Sequence, residues 1–222
     1  MNARKPIFNT FGRLIEFDPR SREYPIQALL AANAPRVTKL WTCAVNLDQG
    51  REGACTGFAV SGEAAADPYP VAGITNAVAL ALYHEAQKLD PWAGTPHDGS
   101  TVLAAMKAGK ARKWYGVYRW AFGEEDLALA VGNAGPAVLG INWYSGMREP
   151  DCHGLIRRTG SKVGGHAILC RGYDVPTGRY LLRNSWGPRW GLAGDCWISA
   201  EDMARLLSER GEACIPIVRK LG

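Results

Sequence analysis

Three short blocks of sequence constrain this fold most, because their chemistry is useful only if they meet. The first runs from Gln49 to Cys55, with glycines between them and a run of small residues after the cysteine. The second places His166 behind two glycines, and the third begins at Asn184. An oxyanion donor, a thiol, a base and an amide that orients the base are the parts needed for acyl transfer through a thioester. The sequence therefore predicts a fold that brings His166 to Cys55 across 111 positions.

The bulk composition is that of an ordinary globular protein of 222 residues. Hydrophobic residues make up 47% of the chain and charged residues 21%, which suits one large domain or two lobes around a cleft. The net charge of +5 is mild, and the densest basic patch, 107–113, lies at the end of a predicted helix with no aromatic residue inside it. We therefore expect a solvated surface there and no nucleic-acid partner.

The sequence shows neither a targeting signal nor a metal motif. No apolar run approaches the ~20 residues that a membrane helix needs, and the first residues show no secretory signal. The six cysteines form no Cys-x-x-Cys pair, which argues against a structural zinc site. If Cys55 is a working thiol, the other five cannot all pair internally. We therefore expect a cytoplasmic protein with mostly reduced cysteines, no membrane partner, no metal and no cofactor.

The chain divides into a short extension and a main body. Residues 1–35 are polar and turn-prone, and they are too few to form an independent domain. We expect this extension to pack on the body or stay partly mobile, with 24–32 on the strand-rich lobe rather than across the cleft. The body, 36–222, is predicted to have a helical lobe over about 36–128 and a β-rich lobe over about 129–222.

Periodicity and capping residues predict the individual elements. Helices are predicted over 26–32, 55–66, 74–89, 101–110, from 124 to about 132, and after a capping box at 199–202. Strands are predicted over 137–143, 166–173, 180–184, 196–198 and 215–218. Pro216 has no N–H to donate, which predicts that the last strand lies at a sheet edge. Cys55 would begin its helix, where unpaired N–H groups favour a thiolate.

The three blocks resemble those of the papain family of cysteine peptidases. Gly53-Ala54-Cys55 matches the centre of that family's sequence around the nucleophile, and Gln49 stands at the place of its oxyanion-hole glutamine. Gly165-His166-Ala167 resembles the family's histidine segment, and Asn184-Ser185-Trp186-Gly187 resembles its asparagine segment. The resemblance covers about 36–222. It suggests a short member of the bacterial or phage type, in which we do not expect a full pro-segment.

This resemblance implies an α+β, papain-like fold with a helical front lobe, an antiparallel β-barrel-like back lobe and the active-site cleft between them. It implies a monomeric endopeptidase, with a groove open at both ends, that hydrolyses a peptide or protein substrate. Cys55 and His166 would form a thiolate–imidazolium pair, and Asn184 would orient the imidazole. Gln49 and the Cys55 backbone N–H would donate to the oxyanion.

The resemblance also indicates which residues would lie beside the substrate: Gly99, Gly165 and Trp186. Gly99 stands where the family hydrogen-bonds the substrate backbone, and Trp186 would shield the histidine–asparagine bond from water. The main pocket would accept the side chain two residues ahead of the cut bond. Its expected walls, Gly140 and Ala167, would leave room for an apolar group.

The chain departs from the family pattern near the thiol and in its spacing. Glu52 stands where the family has a cysteine, so the disulfide expected there is missing and a carboxylate lies near the nucleophile. Thr56 replaces an aromatic residue, which would make the groove wall less bulky. His166 and Asn184 follow Cys55 by 111 and 129 positions, against roughly 130 to 150 in the family, so loops must be shorter.

Two alternatives to a peptidase follow from these departures. One is a catalytically silent or slow papain-like protein used for binding, with Glu52 and Thr56 as signs of drift. The other is a different thiol-dependent amidase. Retention of the nucleophile, the base, the orienting amide and the oxyanion donor favours the peptidase, because a binding module needs none of them.

Overall fold

A computed structural model describes residues 10–217, in which helices dominate the first half of the chain and strands the second. The helices are α1 (Cys55–Ala64), α2 (Asn76–Ala86), α3 (Val102–Ala111), α4 (Glu124–Asn133) and α5 (Ala200–Ser208). The strands are β1 (Arg13–Leu14), β2 (Lys39–Leu40), β3 (Ser100–Thr101), β4 (Val117–Ala121), β5 (Ala137–Tyr144), β6 (Lys162–Asp174), β7 (Arg179–Arg183), β8 (Asp195–Ser199) and β9 (Glu212–Ile217). The fold is therefore α+β, with a mostly antiparallel sheet.

Helices α1, α2 and α3 pack together as the front lobe. Every residue of α1 is buried, as its small side chains predict. Gly57 allows α2 to approach closely, because a Cβ there would lie 2.6 Å from the Ala79 carbonyl oxygen. Thr75 caps α2 by accepting from the Val78 N–H, and Thr101 caps α3 by accepting from the Ala104 N–H. Helix α1, which begins at the thiol, thus lies in a rigid, close-packed lobe.

The back lobe is built on a seven-stranded sheet. The strand order is β4-β9-β5-β6-β7-β8, and β2 pairs separately with β6. Helices α4 and α5 cover this sheet, and Leu139, Ile168 and Leu206 belong to its core. Val138 and Ala167 of the sheet join the core of the front lobe, so the two lobes share a packed interface. Within the described range the sheet is open, with β4 and β8 at its edges, so the expected barrel is not closed.

One expected feature of the back lobe is wrong. Strand β9 lies between β4 and β5 rather than at a sheet edge. It accommodates Pro216 because β5 pairs only with its first half, 212–214, whereas Pro216 pairs with β4 alone. The lobe boundary predicted near residue 128 falls inside α4, whose buried apolar residues belong to the back-lobe core, whereas Trp120 of β4 belongs to the front-lobe core. The division into lobes stays a prediction.

The described part of the extension contacts both lobes. Ile26 is fully buried in the back-lobe core and begins a 3-10 helix (Ile26–Leu29), where a short helix was expected. The Trp120 N–H donates to the Tyr24 carbonyl, which fixes this part on β4. The strand β1 earlier in the extension pairs in parallel with β3 of the front lobe. The extension therefore packs on the back lobe, as expected. It also crosses the cleft, which was not expected.

Some predictions fall on residues that the structure does not describe. These are residues 1–9 of the extension, which include the start that was inspected for a secretory signal, and Val218 at the end of the last predicted strand. Within 10–217, no helix combines the length and apolar character that a bilayer span requires.

Candidate active site

The thiol of Cys55 lies at the first residue of α1, on the interface between the lobes. The Ala167 N–H, from β6 of the back lobe, donates to its Sγ at 3.3 Å. The Thr56 N–H, in the first turn of the helix, also favours the thiolate. The first turn of the helix thus directs one backbone N–H at the sulfur, and strand β6 supplies another.

The register of β6 and β7 positions the imidazole of His166. Leu169 of β6 faces Arg183 of β7, so Asn184, which follows β7, reaches back along β6 to His166. The His166 Nε2 lies 2.8 Å from the Asn184 Oδ1, which also accepts from the Ser185 N–H. Because a carbonyl oxygen only accepts, the proton belongs on Nε2. The buried Nδ1 is then an acceptor, and it has no hydrogen-bond partner among the described residues.

Gln49 is tied to the base through Ser185. The Ser185 Oγ donates to the Gln49 Oε1 at 2.6 Å, and the Gln49 backbone N–H donates to the Ser185 carbonyl at 2.9 Å. These bonds turn the amide nitrogen of Gln49 toward the start of the extension and the loop before α1. There it donates to the Glu52 carbonyl at 2.8 Å and to the Thr10 Oγ1 at 3.1 Å. The Gln49 side-chain amide, the potential oxyanion donor, is therefore fixed in orientation, and it already donates hydrogen bonds within the protein.

Aromatic rings surround the His166 ring. Trp186 lies at a centroid distance of 4.9 Å, and Trp143 approaches edge-on at 4.8 Å. Phe11, from the extension, also approaches edge-on at 6.0 Å. Trp186 is only 3% exposed, so it contacts the base rather than the solvent. The rings keep water from the His166–Asn184 bond, which agrees with the shielding role predicted for Trp186.

Residues 10–14 of the extension cover the site completely. The Gly12 N–H faces the Cys55 sulfur, and Phe11 packs on His166 and on Trp186. A Cβ at position 12 would lie 1.8 Å from the Gly53 carbonyl oxygen, so only glycine fits there. Cys55 and His166 are consequently both 0% exposed. The structure is that of a closed cleft.

Both glycines that were predicted to contact substrate instead contact this segment. Gly99 has a positive φ of 87°, and a Cβ there would lie 2.4 Å from the Gly12 carbonyl oxygen. That oxygen accepts from the Ser100 N–H at 2.8 Å. A Cβ at Gly165 would lie 2.4 Å from the Arg13 carbonyl oxygen. The backbone of residues 10–14 thus passes so close to both glycines that neither position has room for a side chain. Their contact with substrate stays a prediction.

Burial governs ionisation in the closed form. It raises the pKa of Cys55 to about 11, against the opposing effect of the Ala167, Gly12 and Thr56 N–H groups. Burial also lowers the pKa of His166 to about 4, although the bond to Asn184 acts the other way. At neutral pH the closed form therefore holds a thiol and a neutral imidazole. The thiolate–imidazolium pair belongs to a form with the segment displaced, and it stays a prediction.

The two departures near the thiol have structural explanations. Glu52 is exposed, and its backbone carbonyl, not its carboxylate, faces the site by accepting from Gln49. Thr56 is fully buried at the start of α1. All six cysteines are free, and Cys152 alone is exposed. Within residues 10–217, no group of three or more His, Cys, Asp or Glu side chains is arranged to hold a metal ion.

Sequence reasoning missed four contributors to the site. Ser185 was visible in the asparagine block, where a hydroxyl between Asn184 and Trp186 is a signal for a further hydrogen bond. Trp143 carries no signal beyond its place in a predicted strand. Phe11 and Glu212, whose carboxylate pairs with Arg13 of the extension, carry no local signal, because each acquires its role only through partners far away in the chain.

Family comparison agrees with this geometry. A family model described as papain family cysteine protease matches residues 72–210, which include His166 and Asn184. The chain belongs to this family. The matched range begins after Cys55 and Gln49, so their place in the site depends on the contacts described above.

Known relatives share modest identity with the chain. Cathepsin O of Homo sapiens is 28% identical over 100 residues, which are 41% of this chain and 29% of that protein. Cathepsin B-like cysteine proteinase 4 of Caenorhabditis elegans is 24% identical over 157 residues, 65% of this chain and 44% of that protein. The chain thus spans less than half the length of either curated relative. Xylellain, a cysteine protease from Xylella fastidiosa, superposes with a TM-score of 0.72 at 20% identity, over 98% of this chain and 100% of that one. That likeness shows a common fold.

Proposed function

We propose that this chain is a cysteine peptidase whose described form is closed by its own extension. One observation carries the proposal: separate lobes contribute a thiol at a helix N-terminus and an imidazole oriented by an asparagine. The Ala167 N–H bond to the Cys55 sulfur places the thiol one residue along the strand from His166. The acceptor Nδ1 of His166, which has no hydrogen-bond partner among residues 10–217, is the group that we assign to take the thiol proton.

The chemistry follows from these positions once the segment is displaced. In this open form His166 holds the proton of Cys55, and the sulfur attacks the substrate carbonyl carbon as a thiolate, so that the carbonyl oxygen becomes an anion. Gln49, released from Thr10, and the Cys55 N–H donate to that anion. His166 then protonates the leaving amine, which leaves a thioester on Cys55. Water, deprotonated by His166, hydrolyses the thioester and restores the thiol.

The segment itself escapes cleavage because of its orientation. The peptide group between Phe11 and Gly12 faces the sulfur with its N–H. In a planar trans peptide the carbonyl of the same group points the opposite way. The next carbonyl, of Gly12, is held by the Ser100 N–H. The thiol therefore faces a hydrogen-bond donor and no electrophilic carbon.

Labelling with a peptidyl vinyl sulfone tests the proposal. The full chain should take up one equivalent, at a rate limited by displacement of the segment, and Cys55→Ala should take up none. Cys152→Ser is the control for the exposed thiol and should be labelled like the unchanged chain. Equal labelling of the unchanged chain and Cys55→Ala would contradict the proposal.

Cleavage of a peptide library separates an enzyme from a binding protein. The unchanged chain should cut a subset of peptides that Cys55→Ala leaves intact. Identical, flat profiles for both would favour the silent papain-like protein.

A further inference from the structure

The Arg13 side chain, next to the Gly12 that faces the thiol, fills a buried pocket of the cleft. Its side chain is 1% exposed. Its Nε and one terminal nitrogen donate to the Glu212 Oε1 at 3.0 and 2.9 Å. The same terminal nitrogen donates to the Arg210 carbonyl at 2.7 Å. The Glu212 carboxylate and the Arg210 carbonyl thus both bind the Arg13 guanidinium at the end of the pocket.

The pocket has its size because Gly140 has no side chain. A Cβ there would lie 2.6 Å from the Glu212 Oε1, 2.8 Å from a Val102 methyl and 2.9 Å from the Arg13 Nε. Strand β5 at Gly140 pairs with both Ala167 and Glu212, so the pocket is formed by three adjacent strands. This is the pocket for which an apolar occupant was expected. The structure places a cationic side chain there instead.

Glu212 depends on this cation for its charge. Burial raises the pKa of its carboxyl, Arg13 lowers it, and Glu16 raises it further. When the segment leaves, the carboxylate loses its cation in a pocket where its side chain was only 16% exposed. An unpaired charge in such a position is costly even where water enters, so the pocket favours a new cation.

We infer that Glu212 and Gly140 make the open cleft selective for substrates carrying arginine two residues before the cut bond. The inference rests on the proposed function and names its substrate class. Arg13 mimics that substrate side chain within the closed form. Lysine should bind less well, because its point charge cannot reproduce the two bonds that the planar guanidinium makes to one carboxylate.

Fluorogenic peptides that differ only at that residue test the inference. Arginine, its uncharged isostere citrulline, and leucine should be compared by kcat/KM on the full chain. The arginine-to-citrulline ratio should be roughly 10- to 100-fold in the unchanged chain and should approach 1 in Glu212→Gln. The ratio is the correct readout because the fraction of open protein affects both substrates equally. An unchanged ratio in Glu212→Gln would overturn the inference.

Two further variants sharpen the result. Gly140→Ala should lower the arginine ratio without changing any charge, because its methyl group would occupy the guanidinium position. Glu209→Gln is the matched control, since Glu209 pairs with Arg158 and Tyr144 away from this pocket. It should leave the ratio unchanged. If Glu209→Gln reduced the ratio as much as Glu212→Gln, the effect would be one of overall charge and the inference would fail.

A binding measurement keeps this test separate from the test of activity. In Arg13→Ala the pocket is vacant, and millimolar N-acetyl-arginine amide should raise the urea midpoint of unfolding where N-acetyl-citrulline amide does not. Adding Glu212→Gln to Arg13→Ala should abolish the difference. If no peptide is cleaved but this difference is seen, the proposed function fails and the pocket assignment stands. Equal effects of the two amides would overturn the assignment.

Discussion

Replacing Arg13 by alanine should open the cleft. The change removes three hydrogen bonds and leaves Glu212 without its cation. Removing one partner of a buried ion pair typically costs about 3–5 kcal/mol. The Glu212 side chain keeps 16% exposure and the vacated pocket admits water, so about 2–3 kcal/mol is the better figure here. A tenfold change corresponds to about 1.4 kcal/mol, so the open-to-closed ratio should rise about 30- to 150-fold.

Iodoacetamide alkylation measures this opening directly, because the reagent is too small to need a substrate pocket. The background is Cys152→Ser, which removes the exposed thiol. While the closed form predominates, the rate at Cys55 should rise by the same factor as the open-to-closed ratio. Mass spectrometry of the separate peptides also reports Cys170 and Cys196, which are fully buried away from the cleft. They should stay unmodified, because only local opening is expected.

Arg20→Ala is the matched control within the extension. Among residues 10–217, Arg20 forms an ion pair with Asp18 alone, and its side chain is 75% exposed. In the Arg20→Ala variant, Cys55 should be alkylated at the same rate as in the background protein. The reasoning is refuted if Arg13→Ala reacts no faster than Arg20→Ala. It is also refuted if Cys170 and Cys196 react together with Cys55, since the protein would then be unfolding as a whole.

Three further predictions concern the site itself. Gln49→Ala should lower kcat by about 10²- to 10³-fold in the peptide assay, the usual effect of losing one oxyanion donor, while Cys55 is still alkylated. Asn184→Ala should lower kcat, since the His166 ring loses its acceptor, and Asn184→Asp should recover part of the loss because a carboxylate accepts the same bond. Because burial lowers the pKa of His166 from 6.5 to about 4, the unfolded chain takes up this proton first as pH falls. The free energy of unfolding should then decrease by up to about 3 kcal/mol between pH 6.5 and 4, and urea titrations of His166→Gln should lack this component.

The site was predictable because its parts carry local signals. A cysteine after glycines at a helix start, a histidine after two glycines and an asparagine before Ser-Trp-Gly each mark a defined backbone setting. The sheet then brings the last two together, since Asn184 directly follows the strand that pairs with the histidine strand. The cap Ser199 was visible for the same reason.

The path of the extension was not predictable from its own residues. Thr10 to Leu14 has no helical or strand periodicity, and its conformation is imposed by the surfaces it lies on. Arg13 meets Glu212 across 199 positions of sequence, a separation that no local pattern encodes. The prediction that β9 lies at a sheet edge was wrong for a related reason. Pro216 prevents pairing on one side of the strand only, and β4 pairs with β9 on the other side.

The segment that lies over the thiol is covalently attached, so its occupancy of the cleft does not depend on protein concentration. Once displaced, a segment held by a short connection stays at an effective concentration of about millimolar. Dilution therefore cannot release it, and a substrate at micromolar concentration competes against a large and constant excess. A free peptide with the sequence of residues 10–16 would need a comparable millimolar supply to block the emptied cleft equally well.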